Sequence, residues 1–211
     1  MLHETTPKRR RGRPPKGGHG YGETRESLIR AGLEVLTEKG FSAAGIDEIL
    51  RRVAVPKGSF YHYFSSKEAF GLELIERYDA YFSRKLDRFL SDPSLSPLQG
   101  LQAFIADAAA GMARHEYRRG CLVGNLGQEM GALPEPFRAR LMGVFADWQA
   151  RVEVCLEAAR KEGEISQATD CRQLAEVFWI GWEGAVLRAK LEQSAAPLEI
   201  YAEFFFAGIA R

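Results

Sequence analysis

Three stretches of the chain hold residue types whose spacing could support chemistry. Cys121 follows the run "YRRG", Tyr117 to Gly120, at an expected helix start. A helix N-terminus and two neighbouring guanidinium groups, Arg118 and Arg119, would favour a thiolate and lower the thiol pKa from about 8.5. A thiolate at neutral pH would attack an α,β-unsaturated acid or aldehyde. The same residue reads equally well as a buried cysteine acting as a small apolar group. The second stretch is "KGSFYHYF", Lys57 to Phe64, in which Phe60 and Phe64 make one apolar face. The opposite face offers Lys57, Ser59, Tyr61, His62 and Tyr63, more hydrogen-bonding aromatics than solubility requires. The third is "KRRRGRPPKGGHG", Lys8 to Gly20, with six positive charges, two prolines and four glycines in thirteen residues. Proline and glycine oppose a helix there, so this arm would gain order only from an anionic partner.

No other chemistry is indicated. Glu129 and Glu183 could be read as an acid and base pair, but no nucleophile, phosphate loop or metal ligand set accompanies them. Cys121, Cys155 and Cys171 are odd in number and form no C-x-x-C pair, so neither disulfides nor zinc is expected. No cofactor is expected either. The near-neutral formal charge of +1 hides a division: residues 1–67 carry 13 Lys and Arg against 7 Asp and Glu, and the remainder 16 against 21. A basic front faces nucleic acid or another anionic surface. No apolar run approaches the roughly 20 residues of a membrane span, and the reading is a cytoplasmic protein with no membrane partner.

The elements that must position these residues are helical from Thr24 onward, so the fold class is all-α. Leu28, Ala31, Gly32, Val35 and Leu36 make the buried stripe of a first helix, capped by Thr24 and stopped at Gly40. A short second helix carries Ile46, Ile49, Leu50 and Val53, with Asp47 and Glu48 in its first turn. Pro56 then starts a third helix of about two turns. A long helix follows with Phe70, Leu74, Tyr78, Tyr81, Phe82, Leu86 and Phe89 on its buried side. "SDPSLSP" breaks it. Five more helical stretches are expected at about 97–117, 120–132, 135–162, 170–194 and 197–210. The fourth is apolar nearly all round, through Val177, Phe178, Trp179, Ile180 and Trp182. A second subunit packing on it and on "IYAEFFFAGIA" would cover that surface, with Gly181, Gly184 and Ala185 allowing close helix approach.

Gly40 to Phe70, "GFSAAGIDEILRRVAVPKGSFYHYFSSKEAF", resembles the helix-turn-helix of TetR-family transcriptional regulators. The resemblance implies a three-helix DNA-binding domain at 23–69 behind an arm at 1–22, and a ligand-binding and dimerisation domain at 70–211. It places Ser59 and Tyr61 against base edges in the major groove, and His62, Tyr63 and Lys67 near phosphates. Gly45 stands where the family commonly has a capping Thr, Ala54 replaces a frequent Gly and Pro56 a frequent Ser, so phosphate anchoring leans on Lys57, Lys67 and the arm. There, Arg11-Gly12-Arg13-Pro14 resembles an AT-hook core that lies along a narrow A·T minor groove.

"GMARHEYRRGCLVGNLGQEMGALP" and "FWIGWEGAVLRAKLE" are similar to acrylate-responsive members of the family, and more distantly to electrophile-responsive ones. The implied function is a homodimeric repressor on a pseudo-palindromic operator, released by acrylate or a related electrophile. Cys121, Tyr117, Met130, Trp179, Trp182 and Glu183 are the effector-binding candidates. His115, Arg118, Arg119 or Lys190 would meet a ligand carboxylate. Two other readings remain at this stage: an architectural binder of A·T-rich DNA, and a small thiol-dependent helical enzyme working through Cys121.

Overall fold

Leu28, Ile29, Ala31, Val35 and Leu36 line the buried face of α1, Tyr21–Lys39, in the computed structural model of the protein, which describes residues 20–209. Arg11 and Arg13 lie outside the described residues. The helix starts three residues before Thr24, which stands inside the first turn and donates its N–H to Gly20 O at 3.1 Å. The cause is tertiary. The Tyr21 ring packs on Tyr63 at 4.8 Å and its hydroxyl donates to His62 O at 3.0 Å, so the first turn is held by the segment it covers.

α2, Ile46–Arg52, buries Ile49 and Leu50 and has no side-chain cap at Gly45. It ends with Ala54 at φ 54°, where Val55 N–H donates to Leu50 O at 3.0 Å. That is a left-handed helix stop, with alanine accepting strain of about 1 kcal/mol that glycine would avoid. The expected third helix is a tighter 3-10 helix, Lys57–His62, rather than two α-turns. Ser59 N–H donates to Pro56 O at 2.9 Å, an i to i+3 bond. Two constraints produce it: Pro56 has no N–H to link it to α2, and Phe60 and Phe64 are planted against Phe70 with ring centroids 5.3 and 4.5 Å away.

α3, Lys67–Leu90, is capped by Ser66, whose side chain accepts from Ala69 N. Phe70 and Leu74 belong to the front of the molecule, Phe82 and Leu86 to the rear. Gly32 lets α1 approach, because a Cβ there would sit 2.5 Å from the Phe70 ring. Behind lie α4 (Pro97–Arg114), α5 (Leu122–Gln128), α6 (Glu135–Glu162), α7 (Cys171–Glu192) and α8 (Ala196–Ile209). α3, α4, α6 and α7 pack around Phe82, Phe104, Trp148 and Trp179, with Phe82 and Trp148 4.3 Å apart and Trp148 and Trp179 5.1 Å apart. Two stretches are shorter than their hydrophobic pattern suggests. α4 stops at Arg114 because Glu116 and Tyr117 turn left-handed, and α5 covers only seven residues of 120–132. Among the described residues every regular element is helical, and none is long and apolar enough to cross a membrane.

α7 and α8 pair with each other and leave an apolar face outward. Ile180 is 74% and Phe204 80% exposed, with Val177, Leu191 and Ile200 also open. Gly181 serves a different partner from the one expected. A Cβ there would fall 2.2 Å from the Tyr201 ring, so it admits α8 of the same protomer, while Gly184 has open space before it.

Candidate functional site

The front presents the short segment expected from the sequence to contact DNA. Phe60, fully buried, anchors the 3-10 helix from below, and Tyr61 stands edge-on to it with two thirds of its surface exposed. Lys57 and His62 are exposed and Ser59 partly so. Lys57 Nζ lies 2.6 Å from Asp47 on α2, which poises rather than buries its charge. Tyr63 is half-buried under Tyr21. Lys67 is turned inward: its ammonium donates to Phe41 O at 2.8 Å and sits over the Phe41 ring at 4.4 Å. Burial lowers its pKa. Tyr61→Ala is expected to cost about 1–3 kcal/mol of discrimination between operator and random DNA, while folding stability moves by less than about 0.5 kcal/mol. Parallel binding and urea titrations at one salt concentration separate the two; equal losses on both DNAs would make Tyr61 a backbone contact.

The C-terminal end of α1 is docked into the rear by a set of polar contacts. The last carbonyls of a helix have no partner within it. Here Asn125 Nδ2 donates to Leu36 O at 3.2 Å and Thr37 O at 2.9 Å, and Gly120 N–H donates to Thr37 O at 3.2 Å. Lys190 Nζ reaches Thr37 O at 3.3 Å and adds a positive charge to the negative end of the helix dipole. Just beyond, the Glu129 carboxylate accepts from Phe41 N at 3.0 Å and Ser42 N at 2.7 Å. Arg119 pairs with Glu38 at 3.2 Å and Glu34 at 3.5 Å. Sequence reasoning missed Asn125 and this use of Glu129; the carbonyl of Thr37, left without a partner in its own helix, was the available signal.

The same segment borders a cavity of about 390 Å³ between α1, α3, α4 and α7. Its apolar wall is Phe82, Met112, Trp182 and Val186, and its polar groups are Tyr78, Cys121 and Glu183 inside, with Arg114 and His115 on an exposed edge. Cys121, Arg119, Trp182, Glu183 and His115 are thus brought together. The other candidates lie outside its wall. Trp179 is 1% exposed in the aromatic core, and its indole N–H has no hydrogen-bond partner among the described residues. Met130 and Tyr117 pack partly buried on the core, Lys190 is occupied at α1, and Arg118 is exposed and pairs with Glu116 at 3.3 Å. Tyr78, Phe82 and Lys85 of α3 were not singled out as ligand groups.

Cys121 behaves opposite to the lowered-pKa expectation. Burial, and then the neighbouring Glu183 carboxyl, push its pKa well up. Its two arginine neighbours in sequence turn to Glu116, Glu34 and Glu38, leaving Gly124 N–H, at 3.4 Å, and the Tyr78 hydroxyl to favour the thiolate, too little to offset burial. The Tyr78 hydroxyl and Glu183 both hydrogen-bond the thiol. Tyr78 is likewise raised by burial, and burial pushes Glu183 up to about 7. The interior of the cavity therefore holds three protonatable groups, with Tyr78 and Glu183 each in contact with Cys121.

A helix-turn-helix head, joined through α1 to an all-helical body with a cavity, defines a helix-turn-helix transcriptional regulator. Residues 28–74 match the family described as bacterial regulatory proteins, tetR family, and 97–205 match the tetracyclin repressor-like C-terminal domain. The chain belongs to the TetR family. It is 58% identical over 198 residues to transcriptional regulator AcuR of Cereibacter sphaeroides, covering 94% of this chain and 90% of that one. It is 33% identical over 181 residues to the repressor NemR of Escherichia coli, covering 86% and 91%. Among solved structures, a regulatory protein TetR from Rhodobacter sphaeroides superposes with a TM-score of 0.87 at 57% identity, over 89% of this chain and 99% of that one. The protein is a transcriptional regulator of this family.

Proposed function

We propose that the protein is a homodimer that holds a pseudo-palindromic operator and releases it when acrylate or a related small electrophile enters the cavity. One observation carries the reading: the segment Arg119–Asn125 walls the cavity at Cys121 and caps α1 through Gly120 and Asn125. A ligand that displaces it moves the end of the DNA-binding head. On DNA, Lys57, Ser59 and Tyr61 face the groove, and His62 and Tyr63 approach phosphates. Lys67 fixes the Phe41 turn, and Arg11 and Arg13 extend the grip into a minor groove. Half-sites lie one or more helical turns apart, roughly 34–36 Å per turn. Trp182 and Val186 supply apolar contact to the ligand.

The test is an operator titration with and without acrylate, on the parent and on Cys121→Ser. Acrylate is expected to weaken operator binding about 5- to 150-fold, the range of ordinary allosteric coupling. Because the thiol is held protonated, Cys121→Ser is expected to keep that response. Tight binding unaffected by acrylate would overturn the effector reading; loss of response in the variant, with a one-to-one adduct on the parent, would make Cys121 a covalent trap.

A further inference from the structure

Glu183 has no cation beside it. Among the described residues it enters no ion pair, although it stands in the wall of a cavity whose other end carries positive charge. Tyr78 from α3 and Cys121 from the cap of α5 face it, both as neutral proton carriers. One turn N-terminal on α7, Trp179 and the Phe178 face are apolar. Two turns C-terminal, the Lys190 ammonium is committed to Thr37 O and Asn125 Oδ1. Gly124 on α5 approaches so closely that a Cβ would meet Glu183 Oε2 at 1.9 Å, which fixes the carboxyl between the two helices.

The cationic end differs. Lys85 is bound to Asp107, and Arg119 to Glu38 and Glu34, so both charges are already matched. Arg114 and His115 are exposed and form no ion pair among the described residues, so their attraction for an anion is shared with water. An anion held only there would leave the Gly120–Asn125 segment untouched. A ligand that is to act on α1 must reach the Glu183 end.

We infer that the cavity takes a small organic carboxylate together with one proton, which Glu183 retains and donates to the ligand oxygen. This rests on the effector reading above and adds the proton that must accompany the ligand and the group that selects it. Two unscreened carboxylates cannot share a buried site in ionised form, so one must be protonated. The proton comes from solvent and remains on Glu183, forming an O–H···O contact, while Trp182 and Val186 cover the ligand's carbon chain. An ionised Glu183 repels the same ligand, so the residue excludes anions whenever it is deprotonated. A neutral electrophile of the same shape is bound without regard to pH.

With Glu183 half protonated near pH 7, the ligand binds the acid form and takes up the missing fraction of a proton. Acrylate dissociation constants, measured by calorimetry on the full-length protein, are expected to be about tenfold weaker at pH 8 than at pH 6. Runs at pH 8 in two buffers of different ionisation heat are expected to give uptake of about 0.9 proton. Acrylamide, neutral and nearly isosteric, is expected to show neither effect. Glu183→Gln keeps a donor of the same shape and is expected to bind acrylate at pH 6 nearly as the parent does, with a flat profile to pH 8. His115→Gln is expected to keep the parent's slope.

A flat acrylate profile in the parent, or a Glu183→Gln profile as steep as the parent's, overturns the inference. A slope lost in His115→Gln instead assigns the proton to the cavity edge and overturns it too. Absence of acrylate binding at every pH, with operator binding intact, fails the effector reading itself, so the two failures are distinguishable. Operator affinity without ligand reports whether each variant is folded.

Discussion

Gly40→Ala is expected to cost about 3 kcal/mol or more of folding stability and to weaken operator binding in the same variant. Gly40 sits at φ 79° and ψ −174°, a region left almost entirely to glycine, so alanine there is strained by about 1–3 kcal/mol. The new Cβ would also fall 1.5 Å from Glu129 Oε1 and drive that carboxylate off the Phe41 and Ser42 amides. Each bond to a charged acceptor contributes about 1.5–3 kcal/mol, so losing both adds substantially to the backbone term. Urea denaturation reads the stability and an operator titration reads the second effect. Glu129→Ala supplies the partner for a double-mutant cycle. The combined variant should cost less than the sum of the two, because removing the carboxylate also removes the clash. Additive losses would mean that Glu129 and Gly40 act independently and that the contact does not couple body to head.

Ile180→Glu with Phe204→Glu is expected to convert the protein to a monomer and to lower operator affinity by about 100-fold or more. Both side chains are largely exposed on the protomer, 74% and 80%, so neither change disturbs the core. A contiguous apolar face on α7 and α8 gains stability only when another surface covers it. Two charges opposed to themselves across a two-fold axis make that cover unfavourable. A monomer loses the second half-site, and with it the effective concentration that makes two weak grips into a strong one, worth about 10²–10⁴ in affinity. Sedimentation velocity with far-UV dichroism distinguishes dissociation from unfolding. A folded double variant that remains dimeric would place the interface elsewhere.

The head was legible in the sequence because its signals are local. Phe60 and Phe64, four residues apart, define the buried side of the reading segment, and Pro56 separates it from α2 within a few residues. The α-helix expected there became a 3-10 helix because the rings it must plant lie on Phe70, a tertiary demand that spacing does not record. The same limit moved the start of α1 from Thr24 to Tyr21, whose partners are His62 and Tyr63.

The cavity was legible only in part. Trp182, Glu183 and Cys121 attract notice as residue types, yet Trp179, one turn away from Glu183, belongs to the packed core rather than the wall. The thiol illustrates the difficulty most directly. Arg118 and Arg119 precede Cys121 closely in the chain but pair with Glu116, Glu34 and Glu38, whereas Tyr78 and Glu183 are remote in the chain and hydrogen-bond it. Sequence neighbours gave the wrong sign for its acidity. Burial and the Glu183 carboxyl set the right one.

The capping of α1 by Gly120, Asn125 and Lys190 also sets which bodies can carry this head. A chimaera that grafts residues 1–66 onto another helical scaffold would inherit the tyrosines and lysine proposed to face DNA, but not the donors that close Thr37 O. Its first helix would fray where the turn to α2 begins, and the reading segment would lose its orientation. Transplantation between relatives should therefore succeed when the acceptor supplies an amide side chain at the position of Asn125 and a carboxylate at that of Glu129. The boundary for modular exchange lies after α5, not at the start of α3.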